Sequence, residues 1–284
     1  MDPKKMQKIA ILPNIVTAFG LSCGLFVIFK MNMIGIGGAT PQVLTAATGI
    51  LLLAAFADLL DGAIARAIKA ESDFGGIFDC LADAISFGVA PSVIVLKSLS
   101  VPSGTKLSFL VTAAAIIFSL CGVLRLVRYN VNALAAKSDA DLAQAQKKHF
   151  TGLPIPAAAA SAISLNLFLF SEDFVSLTAF SKTTEAWILS IGLILLGYCM
   201  VSRWKFPSIK TLEVRVASFR VVFLTVMGAV LIFYGILHYF ALIFLILSWS
   251  YVFIAWTFAI IRKAAGQKSK TLEEFEPEPD DLDI

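Results

Sequence analysis

Asp58, Asp61, Asp79 and Asp83 lie within one 26-residue stretch, DLLDGAIARAIKAESDFGGIFDCLAD, flanked on both sides by apolar runs. Asp58 and Asp61 are three apart and Asp79 and Asp83 four apart, so each pair shares one face of a helix. Arg66 follows Asp58 by eight residues and returns to nearly the same face. Gly75 and Gly76 mark a break. The pattern predicts two helix ends joined by a short polar turn, each offering a pair of acids that would meet when the chain folds back. An unpaired acid at mid-bilayer costs ~2.5–3.5 kcal/mol, and one Arg66 cannot neutralise four. Divalent cations would, and carboxylate oxygens suit Mg²⁺, Mn²⁺ or Ca²⁺ better than Zn²⁺. Two metals held by acids serve displacement at phosphorus. Gly62 would let a ligand approach the backbone, and Arg66 would clamp a phosphate. The rival readings are ordinary charges at span ends, paired with Arg66, Lys69 or basic loops, and an ion pathway.

The elements that carry these acids are apolar. The 284-residue chain is 58% hydrophobic and 15% charged, whereas a soluble domain carries roughly 25% charged residues. Eight apolar blocks approach or exceed the ~18 residues that cross a bilayer: about 13–33, 44–60, 79–97, 107–127, 154–171, 185–202, 218–237 and 240–261. The first follows Lys4, Lys5 and Lys8, but it outruns a signal-peptide core and no cleavage site follows, so it reads as a retained span. The expected class is an all-α integral membrane protein of about eight transmembrane helices.

With eight spans, the face opposite the termini keeps only Lys30, Lys97, Lys106 and Lys182 of the 23 basic residues. The positive-inside rule therefore predicts both termini, and the acid cluster, on the cytoplasmic side. The expected organisation is one membrane-embedded domain over 1–263 and an acidic, disordered tail over 264–284. Residues 1–12 carry a weak interfacial-helix signal. Gly20 and Gly24 form a GxxxG suited to close helix packing. Cys23, Cys80, Cys121 and Cys199 form no CxxC pair and read as small buried hydrophobes. His149 and His238 receive no firm role.

The ordered spacing Asp58-x2-Asp61-Gly62-x2-Ala65-Arg66-x8-Gly75-x3-Asp79-x3-Asp83 resembles the signature of the CDP-alcohol phosphotransferase family, without departure. The resemblance implies a six-helix membrane core, a homodimer, and transfer of a phosphoalcohol group from a CDP-linked donor with release of CMP. It implies that Asp58, Asp61, Asp79 and Asp83 hold two divalent cations, Mg²⁺ or Mn²⁺ with Ca²⁺ as the variant, and that Asp83 is also the general base. Gly62, Arg66 and Ser72 match donor-binding positions, with Asp58 beside them. PNIVT (13–17) resembles the first-helix element of the family, which assigns Asn14 and Thr17 to the cytidine end of the donor.

SFGVAPS (86–92), RLVRYN (125–130) and FTGLPIPAAA (150–159) resemble the branch of the family whose donor is CDP-diacylglycerol and whose acceptor is L-serine. The candidate acceptor residues are Ser86, Arg125, Arg128 and Asn130, either arginine being able to take a carboxylate. Anchoring or lipid-headgroup contact is the competing role for the arginines. Glycerol 3-phosphate, an inositol phosphate or choline are the alternative acceptors, and an ion-coupled transporter is the alternative class. The expected setting is the cell (inner) membrane, with lipid and no nucleic acid as partner.

Overall fold

Three helices begin at side chains that cap them. Thr40 accepts from the Val43 amide at 3.4 Å and is followed by Pro41, Ser72 accepts from Gly75 at 3.0 Å, and Ser181 accepts from Thr184 at 3.2 Å. Each oxygen satisfies an amide that a helix start leaves orphaned, and proline at the first helical position loses nothing. A computed structural model describes residues 11–68, 72–136, 150–171, 174–175, 180–202, 205–206 and 239–265. The helices are α1 (Ile11–Asn32), α2 (Pro41–Ala67), α3 (Asp73–Asp83), α4 (Ala90–Ser98), α5 (Lys106–Ala136), α6 (Ile155–Leu169), α7 (Lys182–Val201) and α8 (Phe240–Ala265). A π-helical turn, Ala84–Val89, joins α3 to α4. Two short strands, Phe150–Thr151 and Lys205–Phe206, pair antiparallel.

Six segments among the described residues are long and apolar enough to span a membrane: α1, α2, Phe74–Ser98, Lys106–Val131, α7 and Phe240–Thr257. The fifth expected block forms only the 15-residue α6, and the seventh, 218–237, lies outside the described residues, as do residues 1–10 and most of the tail. Eight spans are therefore not all in evidence, while the all-helical membrane class holds. Phe19, Phe26, Phe29, Phe56, Leu59 and Phe109 lie exposed on the outer faces, as lipid-facing side chains would.

Packing uses small residues. α1 lies along α2, and α5 along α7. A Cβ on Gly20 would sit 3.5 Å from the Ala54 carbonyl oxygen, and one on Gly24 would collide with Ser86. The GxxxG expectation therefore holds as close packing, which drives helix association where lipid offers no hydrophobic gain. Gly88 and Gly122 flank Ile155, whose side chain is fully buried.

The π turn has a local cause. Pro91 has no N–H to give the carbonyl one turn earlier, and the widened turn comes just before it. Within the turn, Gly88 O accepts from Ser119 Oγ at 2.9 Å, and Ser92 Oγ lies 3.5 Å from it while donating to Ala115 O at 3.1 Å. Serine hydroxyls commonly satisfy backbone groups freed inside membrane helices.

Two further contacts fix the ends of the bundle. At the end away from the acids, Gly37 N donates to Lys97 O at 3.1 Å, and Phe240 packs into the cluster around Met31, Ala39 and Leu44. At the acid end, Leu153 N donates to Cys199 O at 3.0 Å. Cys199 and Phe240 thus lie at opposite ends of the bundle. α8 runs against α6, with Ser248 Oγ 2.6 Å from Ser164 Oγ and Trp249 Nε1 donating to Ser161 O at 3.0 Å.

Candidate active site

Asp58 and Asp61 stand near the C-terminal end of α2, and Asp79 and Asp83 lie along α3, which starts after the turn at Ser72. One carboxylate oxygen each from Asp58, Asp61 and Asp79 falls within 4.8 Å of the others. Asp83 joins these three on the wall of a narrow inner cavity that also reaches Thr17, Gly20 and Ser86. The predicted facing of two acid pairs is therefore what the chain forms.

The predicted break at Gly75 and Gly76 requires correction. Both glycines lie inside the first turn of α3, and the helix begins after Ser72. Gly75 serves a close approach instead: a Cβ there would stand 3.0 Å from Asn14 Oδ1 and 3.1 Å from Ser72 Oγ. The signal favouring the correct boundary was Ser72 itself, a serine three residues before Gly75, at the N-cap position.

Outside the acids lies a cleft of about 260 Å³. Asn14, Thr17, Gly62, Arg66 and Ser72 all line it, together with Asp61 and Asp79. Those five are the expected donor contacts other than Asp58, which faces the adjoining inner cavity. The Arg66 guanidinium folds back over Gly62, its Nη1 3.4 Å from where a Cβ would stand. A bulkier side chain at 62 would push the guanidinium aside. The cleft thus pairs a planar cation, suited to phosphate oxygens, with an acid cluster at its inner wall.

The acceptor candidates divide. Ser86 is buried, lines the inner cavity, and donates to Gly20 O at 3.4 Å. Arg125 is 9% exposed. Its Nε has no hydrogen-bond partner, and Asp83 is among the charges in its surroundings. Arg128 donates to the last carbonyls of α7, Val201 O at 2.9 Å and Ser202 O at 3.4 Å. A cation there also suits the negative end of the helix dipole. Asn130 Nδ2 lies 2.8 Å from Cys80 Sγ. Ser86 therefore shares the inner cavity with the acids and Arg125 lies buried in range of Asp83, while Arg128 and Asn130 make structural bonds.

The Arg128 contact gives the FTGLPIP stretch a structural meaning. Gly152 has φ +80°, and a Cβ on it would lie 2.9 Å from Arg128 Nη2 and 3.0 Å from Ser202 O. Gly152→Ala should destabilise the fold by about 1–3 kcal/mol through the left-handed backbone and crowding together. Thermal unfolding in detergent should show a lowered midpoint, and an unchanged midpoint would contradict this account.

The donor chemistry fits hard divalent cations. All four side chains offer carboxylate oxygen, three are already gathered, and the surrounding helices are apolar. Sequence reasoning missed the hydrogen bond from Thr17 Oγ1 to Asp61 Oδ2, 2.5 Å long between residues 44 positions apart. The π turn beside Asp83 was also missed, although Pro91 was its signal.

The chain is similar to known proteins. The family described as CDP-alcohol phosphatidyltransferase matches residues 10–198. The CDP-diacylglycerol–serine O-phosphatidyltransferase of Bacillus subtilis (strain 168) is 33% identical over 199 residues, covering 70% of this chain and 91% of the relative. The protein of the same name from Methanocaldococcus jannaschii is 30% identical over 178 residues, 62% of this chain and 71% of the relative. That of Helicobacter pylori (strain 26695) is 29% identical over 251 residues, 86% of this chain and 93% of the relative.

Proposed function

The chain belongs to the CDP-alcohol phosphatidyltransferase family, and from that premise we propose that it transfers the phosphatidyl group of CDP-diacylglycerol to the hydroxyl of L-serine, giving phosphatidylserine and CMP. The observation that carries the chemistry is the joining of a four-aspartate cavity to a cleft lined by Asn14, Gly62, Arg66 and Ser72. The acceptor is supported by relatives named for serine, matched over most of their length.

Each group has an assigned task. Arg66 binds diphosphate oxygens and Gly62 leaves room for them. Asn14 and Ser72 meet the nucleotide end. Asp58, Asp61, Asp79 and Asp83 hold two divalent cations, Mg²⁺ or Mn²⁺, which when bound neutralise charge developing on the diphosphate. Ser86 and Arg125 hold serine, the arginine taking its carboxylate. Asp83 accepts the hydroxyl proton as the serine oxygen bonds to the phosphorus bearing diacylglycerol. The bond from that phosphorus to the CMP oxygen breaks, and CMP leaves without a covalent enzyme intermediate.

A membrane domain over 1–263 is supported by the bonds of α8 to α6 through Ser248 and Trp249. The distribution of basic residues supports a cytoplasmic site and termini in the cell membrane, and the family resemblance supports a homodimer. Tail accessibility in sealed vesicles tests the first, and particle mass in nanodiscs the second. A lumenal tail or a single copy would overturn them.

An acceptor panel tests the function. Purified protein with CDP-diacylglycerol and divalent metal should release CMP with L-serine roughly 10²-fold faster, or more, than with glycerol 3-phosphate, inositol phosphate or choline. A faster alternative acceptor would reassign the substrate. Release with none would reject the transferase reading.

A further inference from the structure

Thr17 faces two acceptors. Its hydroxyl lies 3.1 Å from Pro13 O and 2.5 Å from Asp61 Oδ2. It has one proton to give. Pro13 O is the acceptor position for the Thr17 amide in the helical ladder, so it has a donor without the hydroxyl. The Asp61 carboxylate has greater need. It is 5% exposed, the most buried of the three gathered acids by exposed surface. An ionised oxygen makes the shorter, stronger bond, and 2.5 Å is within the range of a hydroxyl donating to a carboxylate.

The contact also fixes geometry. A carboxylate turns freely about its last torsion. With Oδ2 held by α1, the plane of the carboxylate is constrained where it meets Asp58 and Asp79 in the cluster. Thr17 is itself 5% exposed, and its hydroxyl is directed at the acid. Asn14, one turn earlier, reaches toward Gly75 at the mouth of the cleft.

We propose that Thr17 is a positioning residue for Asp61, orienting that carboxylate for a divalent cation, and not a contact to the nucleotide. This rests on the reading of the aspartates as metal ligands. Hydrogen bonds that orient a metal ligand typically carry 10–100-fold in affinity. Valine keeps the branched shape of threonine and loses only the hydroxyl, serine keeps the hydroxyl and loses the methyl, and alanine loses both.

The test is Mn²⁺ titration of the full chain in detergent without lipid substrate, followed by electron paramagnetic resonance of free Mn²⁺. Thr17→Val and Thr17→Ala should raise the Mn²⁺ Kd about 10–100-fold, and Thr17→Ser should stay within about threefold. At saturating Mn²⁺, the KM for CDP-diacylglycerol should change by less than about threefold in Thr17→Val and Thr17→Ser. Unchanged Mn²⁺ affinity in the valine and alanine variants would overturn the proposal, as would equal loss in the serine variant. A raised KM with normal Mn²⁺ affinity would return Thr17 to the donor site. A parent protein that binds no Mn²⁺ would remove the metal reading itself, a result distinct from parent binding that the variants leave intact.

Discussion

Replacing Asp83 with asparagine should lower turnover by about 10²–10⁴-fold, the usual contribution of a positioned base, while the protein still folds. A serine hydroxyl is a weak nucleophile at neutral pH, so losing the group that takes its proton falls on the chemical step. Asparagine has nearly the same shape as aspartate, and Asp83 is followed by a π turn whose packing rests on Gly24, Ser92 and Ser119 rather than on its carboxylate. CMP release at saturating substrates measures kcat, and its dependence on CDP-diacylglycerol measures KM. The expected pattern is a large fall in kcat with KM changed little. Normal turnover by the asparagine variant would remove the base assignment.

Chelation should have a comparably large effect. With divalent metal stripped, CMP release should fall at least about 10²–10³-fold, the scale on which losing charge stabilisation at a reacting centre is felt. Readdition of Mg²⁺ or Mn²⁺ should restore it. The physical reason is crowding: Asp58, Asp61 and Asp79 place oxygens within 4.8 Å of each other, and a diphosphate brought to the same cleft adds more negative charge. Arg66 alone does not balance that sum. Asp58→Ala and Asp79→Ala should each shift the metal dependence of the rate to higher concentration, by about 10-fold or more. CMP release against metal concentration gives both results. Full activity in chelator would exclude a metal role.

Most of this site was legible because its geometry is local. Asp58 with Asp61, and Asp79 with Asp83, share helix faces by spacing alone, and the cost of acids in an apolar chain demanded that the pairs meet. Asn14, Gly62, Arg66 and Ser72 came through a family signature, and the fold places all four on one cleft. What escaped depended on chain partners far apart. The Thr17–Asp61 bond crosses from α1 to α2, and the Arg128 bonds run from α5 to the end of α7. Two arginines three apart at one helix end look equivalent in sequence. Only the packing of α7 and Gly152 separates the helix-capping Arg128 from Arg125, whose Nε stays without a partner. Gly75 misled for a related reason. It reads as a helix breaker by propensity, but Ser72 caps the helix before it, and its missing Cβ makes room for Asn14.

Counting bound Mn²⁺ in the purified full chain by electron paramagnetic resonance tests most directly whether the two acid pairs share cations. Two Mn²⁺ per protomer are expected, with a spectrum broadened by their proximity, and both should be lost when Asp58 and Asp79 are replaced together by asparagine. A folded protein that binds no Mn²⁺, or one whose binding survives that double replacement, would contradict the account.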